Sequence, residues 1–361
     1  MAELRRISLI VVGVGNVGRA FLAQVAQTRT SLAHRYGIWL EPIALLDSSG
    51  ALYDPTGLAM ERIQEAVRAK ANGRALADLT GAQLGATAST IVAESSDAGI
   101  ARAIMVDTTA ADGMEKALQH ALDSGYSVVL ANKRPLAGSW AVARSFFESP
   151  RARFEATVGA GLPVINTLRY LVDTGDEVYR IEGALSGTLG YLCSRLEDGE
   201  PFSLAVGMAR SRGYTEPDPR DDLSGMDVAR KALILARLAG WEMELSDIRV
   251  DPLYPAEMAA LSVDEFMAQL PRLDTDFAAY MGALAGVPRY LAEIGPKGGV
   301  VALRMVGERL AAQLRGTANL VSFSTRRYDE HPLTLAGPGA GLEVTAAAVL
   351  QDCVQLARAC N

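Results

Sequence analysis

The stretch ISLIVVGVGNVG, residues 7–18, decides the fold of the first part of the chain. Residues 7–12 form a short, uninterrupted apolar run, which is typical of a strand buried on both faces of a parallel sheet. Gly13 ends the run, and the spacing of apolar side chains that follows predicts a helix from Asn16 to about Ala33. A buried strand that turns through glycines into a helix is the opening unit of a doubly wound sheet.

The same pattern continues towards the middle of the chain. Short apolar runs alternate with amphipathic stretches, and each run has the length of a strand. The predicted strands are 43–46, 103–106, 128–130 and 154–158, and the predicted helices between them are 60–70, 113–124 and 139–147. Strands that alternate with helices predict an α/β protein whose N-terminal part is a Rossmann-type, doubly wound parallel sheet.

The pattern changes after residue 154, where strands and helices no longer alternate regularly. Strands are predicted at 178–185, 290–294, 300–305 and 320–324, and helices at 225–239 and 342–359. We therefore expect a first domain at 1–154 and a second, α+β domain at 155–332. The C-terminal segment, 333–361, is expected to return to the first domain through its helix.

The composition excludes several classes of protein. A net charge of −7 provides no basic stripe for a phosphate backbone, so we expect no nucleic-acid partner. No apolar run approaches the roughly 20 residues that span a bilayer, so we expect a soluble protein with no membrane partner. The three cysteines, Cys193, Cys353 and Cys360, are few and lack metal-ligand spacing, which indicates a reducing, cytoplasmic compartment.

The glycines that follow the first strand match the dinucleotide fingerprint G-x-G-x-x-G. The first glycine allows a tight turn, the second lets the backbone approach a pyrophosphate, and the third lets the helix pack closely on the strand. The start of the helix also presents unpaired N–H groups to phosphates. The candidate cofactor-binding residues are Gly13, Gly15, Asn16, Val17 and Gly18. The alternative is a glycine turn that holds no ligand.

Asp47, at the end of the predicted second strand, is a candidate acceptor for the hydroxyls of an adenosine ribose. No arginine or lysine lies between Asp47 and Asp54 to hold a 2′-phosphate, which favours NAD over NADP as the cofactor. The alternative is that Asp47 only heads the turn at residues 47–50.

The run GYTEPDPRDDLSGMDVARK, residues 213–231, concentrates charge around a proline-containing loop that leads into a helix. Its acids and cations nearly balance, which suits a site that pairs its own groups until a ligand with an ammonium group arrives. Asp227 and Lys231 are four residues apart and share one face of the predicted helix. Two other interpretations remain open, an exposed ion pair and a capping box at residues 224–227.

These motifs together resemble the homoserine dehydrogenase family. GVGNVG, VDTTA (106–110), ANK (131–133), EATVGAGLPVI (155–165), SGTLGY (186–191) and the 213–231 run occur in the family's order and cover most of the chain. EATVGAGLP and GYTEPDP are far more specific than the glycine fingerprint. Gly190 departs from the polar residues that related motifs often carry. Because the chain ends after the last predicted helix, the resemblance is to a short form without a C-terminal regulatory domain or a fused aspartate kinase.

The resemblance implies an NAD(P)-dependent oxidoreductase that acts on a CH–OH group. The implied reaction interconverts L-homoserine and L-aspartate 4-semialdehyde, on the pathway to threonine, isoleucine and methionine. The second domain would bind the substrate and form a homodimer. Two other interpretations remain open: a different amino-acid-pathway dehydrogenase of similar build, and a non-catalytic sensor of NAD or an amino acid.

The resemblance also implies roles for individual residues. Lys231 matches the family's proton donor, and a lysine ammonium suits that role because it can stabilise negative charge on a carbonyl oxygen. Lys133 matches a catalytic residue that also contacts the nicotinamide, and the alternative is a surface lysine. Thr109, and Gly341 in the GPGAG motif at 337–341, match cofactor contacts. Their alternatives are a helix N-cap and the turn before the last helix.

The remaining matches concern the substrate and a cation. The candidate substrate-binding residues are Glu216, Asp222 and Asp227, whose carboxylates suit an ammonium group and a hydroxyl, together with Gly187, Thr188 and Tyr214. The candidate site for a monovalent cation, Na⁺ or K⁺, consists of Glu155 and the main-chain carbonyls of Val158, Ala160 and Leu162. An all-oxygen site of this kind suits a hard cation. The alternative is a glycine-rich hinge without an ion.

Overall fold

The computed structural model describes residues 4–283, 285–307 and 310–359, so Cys360 lies outside the described residues. The chain divides into two compact units. The first contains the residues up to Gly161 and those from Gly341 onward, and the second is Leu162–Ala340. None of the described helices is both long enough and apolar enough to cross a bilayer.

The first unit is built on a seven-stranded sheet. Its strands are β1 (Arg5–Val12), β2 (Ile38–Asp47), β3 (Gly50–Tyr53), β4 (Gln83–Leu84), β5 (Ala103–Asp107), β6 (Ser127–Leu130) and β7 (Ala152–Arg153). The helices among them are α1 (Asn16–Tyr36), α2 (Met60–Ala71), α3 (Ala88–Asp97), α4 (Glu115–Asp123), α5 (Arg134–Ala137) and α6 (Trp140–Glu148). The strand order is β4-β3-β2-β1-β5-β6-β7. Neighbours from β2 to β7 run parallel, and β3 and β4 are antiparallel additions at one edge. The predicted Rossmann-type α/β fold is confirmed.

β1 occupies the middle of this sheet because it is apolar on both faces. It pairs with β2 on one side and with β5 on the other, and Leu9, Ile10 and Val11 are fully buried. The neighbouring strands satisfy its backbone groups, and the helices that flank the sheet cover its side chains. α1 adds Phe21 and Val25 to the same core.

The second unit is built on a six-stranded sheet and short helices. Its strands are β8 (Val178–Ala184), β9 (Ile248–Val250), β10 (Val287–Gly295), β11 (Gly298–Val306), β12 (Ala318–Thr325) and β13 (Leu333–Pro338). Its helices are α7 (Val164–Asp173), α8 (Gly187–Glu197), α9 (Phe202–Ser211), α10 (Pro219–Leu223), α11 (Met226–Leu238), α12 (Val263–Gln269) and α13 (Asp274–Ala283). The strand order is β13-β12-β8-β10-β11-β9, and among the described strands of this sheet only the β11–β9 pair is parallel. The last helix, α14 (Leu342–Ala359), packs along α1 in the first unit.

Two features near the ends of the second unit differ from the sequence-based expectations. The predicted strand at 154–158 is wrong: β7 ends at Arg153, and Glu155–Thr157 forms a single turn of 3₁₀ helix. The Glu155 N–H donates to Asp352 of α14 at 2.7 Å, and this bond turns the segment away from the sheet and keeps it with the first unit. The predicted boundary after 332 also comes too early, because β13 pairs with β12 and stays in the second sheet.

α11 is the buried helix of the second unit. It packs against β10, and its residues from Ala232 to Ala236 have no solvent exposure. Ile234 and Leu238 are both buried, so this face of the helix points into the unit. The apolar part of the helix therefore fixes the position of its charged first turns.

The start of α11 depends on a close contact beneath Gly225. This residue has a φ of 73°, which favours glycine, and a Cβ atom on it would lie 2.0 Å from Tyr290 Oη. The Tyr290 hydroxyl is itself held by the Asp251 carbonyl at 2.8 Å. The phenol therefore cannot move aside without losing a hydrogen bond.

We expect Gly225→Ala to destabilise the protein more than an equivalent change without the contact. Gly175 is a matched control, because its φ is 69° and a Cβ there would meet nothing within 4 Å. Both substitutions introduce backbone strain, but only the alanine at 225 collides with Tyr290. Gly225→Ala should therefore lower the free energy of unfolding by at least about 1 kcal/mol more than Gly175→Ala does. Urea denaturation of both variants measures this, and equal losses would contradict the assigned contact.

Candidate active site

The glycine loop between β1 and α1 is shaped by the close approach of three chain segments. A Cβ atom on Gly18 would lie 2.1 Å from the Gly13 carbonyl oxygen and 2.9 Å from Thr108 Oγ1. A Cβ atom on Gly13 would lie 2.8 Å from the Thr109 side chain. Packing inside the protein therefore requires glycine at both positions. A Cβ on Gly15 would meet none of the described atoms within 4 Å, so the packing leaves room there for a ligand.

α1 begins directly at this loop, with Asn16 and Val17 as its first residues and Gly15 at its N-cap. The Arg19 guanidinium folds back over the loop, and its Nη2 donates to Asn16 Oδ1 at 2.7 Å. The structure thus brings the predicted fingerprint residues together at a helix N-terminus. That arrangement presents backbone N–H groups and a positive charge to an anion.

Asp47, at the end of β2, is held by four hydrogen bonds. Lys70 Nζ and the Leu76 N–H donate to Oδ2 at 2.6 and 3.0 Å, and the Ser49 N–H and hydroxyl donate to Oδ1 at 2.8 and 2.5 Å. Burial alone would raise the pKa of the Asp47 carboxyl, but the hydrogen bonds lower the pKa to about 2. These contacts match the turn interpretation.

Lys70 is a residue that sequence patterns do not identify. It lies on α2, outside the interval of residues 47–54, and the fold brings its ammonium group to Asp47. A positive charge is therefore present beside Asp47, although the sequence next to Asp47 shows none.

A polar network joins the carboxyl ends of β5 and β6. Asn132 Nδ2 donates to Asp107 Oδ2 at 3.1 Å, to Thr109 Oγ1 at 3.2 Å and to the Ala111 carbonyl at 2.9 Å. The Thr109 N–H and hydroxyl donate to Asp107 Oδ1 at 2.9 and 2.7 Å. Lys133 follows immediately, at the N-cap of α5. Thr109 and Lys133, which separate motifs predict, thus lie on adjoining loops that Asp107 and Asn132 connect.

Thr109 does not have the alternative role of a helix N-cap. α4 begins at Glu115, with Met114 at its N-cap position. The Thr109 hydroxyl instead donates to Asp107 and accepts the Ala111 N–H at 3.3 Å. Its contacts therefore shape the loop itself.

In the second unit, Lys231 is held by two acceptors. Its Nζ lies 2.8 Å from Asp227 Oδ2 and donates to the Leu185 carbonyl at 2.7 Å. The Lys231 side chain is 14% exposed and that of Asp227 41% exposed, so this is not a freely exposed surface pair. The capping-box alternative is not observed, because Gly225 is the N-cap of α11 and no side chain caps the helix there.

The other predicted substrate-binding residues gather around Asp222. Its Oδ2 accepts the Glu216 N–H at 2.8 Å, and the Thr188 side chain lies beside its carboxylate. Thr188 Oγ1 also donates to the Tyr214 carbonyl at 2.5 Å. Burial raises the pKa of Asp222, and the carboxylates of Glu216 and Asp227 raise it further. A carboxyl group with a pKa raised in this way is typical of a functional site.

Gly190 and Gly341 both have structural explanations. A Cβ atom on Gly190 would lie 2.9 Å from the Gly316 carbonyl oxygen, so a larger residue would collide where α8 meets the segment before β12. Gly187 begins the same helix. The Gly341 carbonyl accepts the N–H and hydroxyl of Thr345 at 3.1 and 2.8 Å, as expected for the turn that opens α14.

The residues of the predicted cation site follow one another across the change of unit. Glu155 is only 2% exposed, and Ala160 has a φ of 55°, which is uncommon for a residue with a Cβ atom. Val158 also lies in the first unit, whereas Leu162 is the first residue of the second. Among the described residues, no group of three or more histidine, cysteine, aspartate or glutamate side chains is arranged to hold a metal ion.

The fold and these clusters define a class of protein. A Rossmann-type unit with an anion-binding glycine loop is followed by an α+β unit that presents a lysine beside several carboxylates. This combination is that of a dinucleotide-dependent oxidoreductase.

Comparison with known proteins identifies the family. The family model described as homoserine dehydrogenase matches residues 163–354. A homoserine dehydrogenase from Emericella nidulans is 38% identical over 97% of this chain and 98% of its own length. A chloroplastic bifunctional aspartokinase/homoserine dehydrogenase 2 from Zea mays is also 38% identical, over 96% of this chain, which spans 38% of the length of the maize protein. The chain belongs to the homoserine dehydrogenase family, which confirms the predicted family membership.

A solved structure supports the same fold. A hyperthermophilic archaeal homoserine dehydrogenase in complex with NADPH has a TM-score of 0.74 with this structure and is 22% identical in sequence. The similarity covers 97% of both chains. It confirms the predicted architecture of a Rossmann-type sheet followed by a second sheet.

We expect Asp47→Asn to remove stability that depends on pH. The folded-state pKa of Asp47, about 2, lies below the ordinary value. Its contribution is therefore fully present above pH ~4 and is lost as the pH falls through ~2. The loss of unfolding free energy at pH 7 should be about 1–3 kcal/mol, because hydrogen bonds to a charged group are replaced by weaker ones.

Asp54→Asn is the matched control for this prediction, because Asp54 accepts the same type of turn hydrogen bonds from Thr56, at 2.9 and 2.6 Å. Urea denaturation between pH 7 and the lowest pH at which the protein stays folded gives the comparison. A difference between wild type and Asp47→Asn that stays constant on acidification would disprove the assigned ion pair.

Proposed function

We propose that this chain catalyses the NAD(P)-dependent interconversion of L-homoserine and L-aspartate 4-semialdehyde in amino-acid biosynthesis. The observation that carries the proposal is Lys231, whose ammonium group is fixed between Asp227 and the Leu185 carbonyl beside an acidic loop. Membership of the family supports the proposal, as does the match to nearly the whole length of the fungal relative.

The reaction needs a proton at the substrate oxygen, while a bound nicotinamide supplies or accepts the hydride. An ammonium group has three N–H donors, and Asp227 and the Leu185 carbonyl engage two of those of Lys231, which leaves one for a substrate oxygen. In the direction of aldehyde reduction, Lys231 stabilises the negative charge that develops on this oxygen and donates the proton. In the reverse direction its neutral amine accepts the hydroxyl proton. Lys133 is proposed to share this proton transfer.

The acidic loop supplies the complement to the substrate ammonium group. The carboxylates of Glu216 and Asp227 repel that of Asp222, although Lys231 already pairs with Asp227. A substrate ammonium group would relieve this repulsion and donate charge-assisted hydrogen bonds to the carboxylates. Glu216, Asp222 and Asp227 are therefore proposed to bind the amino and hydroxyl groups, with Gly187, Thr188 and Tyr214 shaping the pocket.

The glycine loop and the loops after β5 and β6 are proposed to bind the dinucleotide. The candidate contacts are Gly13, Gly15, Asn16, Val17, Gly18, Thr109, Lys133 and Gly341. Asp47 already accepts four hydrogen bonds, and the Lys70 ammonium lies beside it. A positive charge at this position supports use of NADP as well as NAD, so the preference for NAD that the sequence suggests is not part of the proposal.

A monovalent cation, Na⁺ or K⁺, is proposed to bind Glu155 and the carbonyls of Val158, Ala160 and Leu162. A buried carboxylate and main-chain carbonyls form the hard-oxygen set that such ions prefer. The ion would help to hold the turn at Ala160 in its left-handed conformation. It is proposed as a structural element with no part in proton transfer.

The homodimer and the cytoplasmic location also remain proposals. The resemblance to the family supports the dimer. Cys193 and Cys353 are both buried free thiols, which supports a reducing compartment.

The proposed activity is tested by oxidation of L-homoserine with NAD⁺ and with NADP⁺, followed by the absorbance of the reduced nicotinamide. We expect turnover with both cofactors and a higher rate with K⁺ or Na⁺ than in a buffer that contains only a bulky organic cation. L-Serine, which lacks one methylene group, is the control substrate. If folded protein binds dinucleotide but oxidises homoserine with neither cofactor, the proposed function is wrong.

We expect Lys231→Ala to abolish most turnover and to leave dinucleotide binding intact. Loss of a positioned proton donor should lower kcat by about 10²–10⁴-fold. The Kd of the reduced cofactor, measured by nicotinamide fluorescence, should stay within about threefold of wild type, because the glycine loop is unchanged. Arg230→Ala removes the neighbouring cation and is the matched control. A kcat near that of wild type in Lys231→Ala would exclude Lys231 from proton transfer.

A further inference from the structure

Both polar atoms of the Asn132 amide make hydrogen bonds inside the protein. Its Nδ2 donates to acceptors on the loop after β5, and its Oδ1 accepts the Arg134 N–H at 3.1 Å. An asparagine amide offers two N–H donors and one oxygen acceptor, so every one of these groups is engaged. The side chain is 3% exposed. Asn132 therefore ties the backbone on both sides of Lys133 to a neighbouring strand.

Asp107 fixes the orientation of this amide. Its carboxylate has no solvent exposure and accepts three hydrogen bonds, from the Thr109 N–H, the Thr109 hydroxyl and Asn132 Nδ2. A flipped amide would place the Asn132 oxygen against this buried carboxylate, which is unfavourable. Burial raises the pKa of Asp107, and its hydrogen bonds oppose the shift.

We propose that Asn132, oriented by Asp107, is a positioning residue that fixes Lys133 and Thr109 for the reaction. The inference rests on the proposed function, in which Lys133 shares the proton transfer and Thr109 contacts the cofactor. Asn132 acts through these two residues. Its amide joins the two loops through direct hydrogen bonds.

Removal of the amide has a foreseeable geometric effect. Without it, residue 132 loses its hydrogen bonds to the Asp107 carboxylate, the Thr109 hydroxyl and the Ala111 carbonyl, and the Arg134 N–H loses its acceptor. The bond from the Ala131 N–H to the Asp107 carbonyl, at 2.8 Å, remains as the backbone link between the two strands. A displacement of ~1 Å at a reacting group can lower a rate by about 10²-fold. The effect should appear in kcat, because the substrate-binding acids around Asp222 lie on other segments of the chain.

The first test compares Asn132→Ala with a matched control at the other end of β6. Tyr126 directly precedes β6 and is buried, and its hydroxyl donates to the Ile100 carbonyl at 2.9 Å. Tyr126→Phe therefore removes a buried hydrogen bond at the opposite end of β6. We expect Asn132→Ala to lower kcat by about 10²-fold and to change the KM for L-homoserine by less than about threefold. Tyr126→Phe should lower the Tm but leave kcat unchanged.

The second test exchanges the two partners. Asn132→Asp alone places two carboxylates together, and Asp107→Asn alone places two amide donors together. The double variant restores one donor–acceptor contact in the reverse sense, so its kcat should exceed the value expected from the two single effects by about tenfold or more. Independent, additive losses would contradict a coupled pair.

The outcomes separate this inference from the proposed function. If wild type is active and Asn132→Ala keeps kcat within about threefold, the positioning role is wrong. If wild type does not oxidise homoserine, the proposed function is wrong, and crystal structures of Asn132→Ala and Tyr126→Phe decide the positioning role. A displaced Lys133 backbone in the first variant only would support it, and an undisplaced backbone would overturn it.

Discussion

The close approach of β1, α1 and β5 at the glycine loop is the constraint on which the first unit depends. Thr108 Oγ1 donates to the Gly13 carbonyl at 2.5 Å, and the missing side chain of Gly18 lets the first turn of α1 lie against the same carbonyl. This contact joins the end of β1 to the end of β5. The loop that carries Thr109 is therefore held beside the fingerprint, and the Asn132 amide extends the connection to the loop that carries Lys133. A side chain at Gly18 would force α1 away from the sheet and would disturb all three loops.

The second unit holds a charged side chain, that of Lys231, in a partly buried position. α11 buries its C-terminal part completely, and this apolar anchor keeps its first turns from moving. Lys231 directly precedes the fully buried part of α11, where an ammonium group loses much of its hydration. Asp227, one turn earlier, and the Leu185 carbonyl supply the interactions that offset this loss. The same rigidity that stabilises the helix therefore orients the proposed proton donor.

The sequence predicts the parallel sheet well, because buried strands and amphipathic helices have distinct periodicities. It fails at residues 154–158, where an apolar run is a turn of helix because Asp352, far away in the sequence, captures the Glu155 N–H. It also misses Lys70, which the fold brings to Asp47 from another helix. Asp107 and Asn132 lie within motifs that the sequence displays, but their role depends on the pairing of two strand ends. Contacts of this kind have no local signal.

The acidic run shows why the sequence could not separate structural from functional carboxylates. Asp218 and Asp222 lie four residues apart, at the N-cap and in the last turn of the short helix α10. A side-chain hydrogen bond from Arg220 lowers the pKa of Asp218, and the same guanidinium also donates to the Ala259 carbonyl at 2.9 Å, so this acid fastens the loop to the rest of the unit. Asp222 has the opposite environment, because burial and two neighbouring carboxylates raise its pKa.

Such an arrangement destabilises the protein alone and becomes favourable once a cation enters. The two pKa shifts thus have opposite directions in the acid that fastens the loop and in the acid that is proposed to bind the ligand. This difference gives a physical reason to place the substrate ammonium group at Asp222 and not at Asp218.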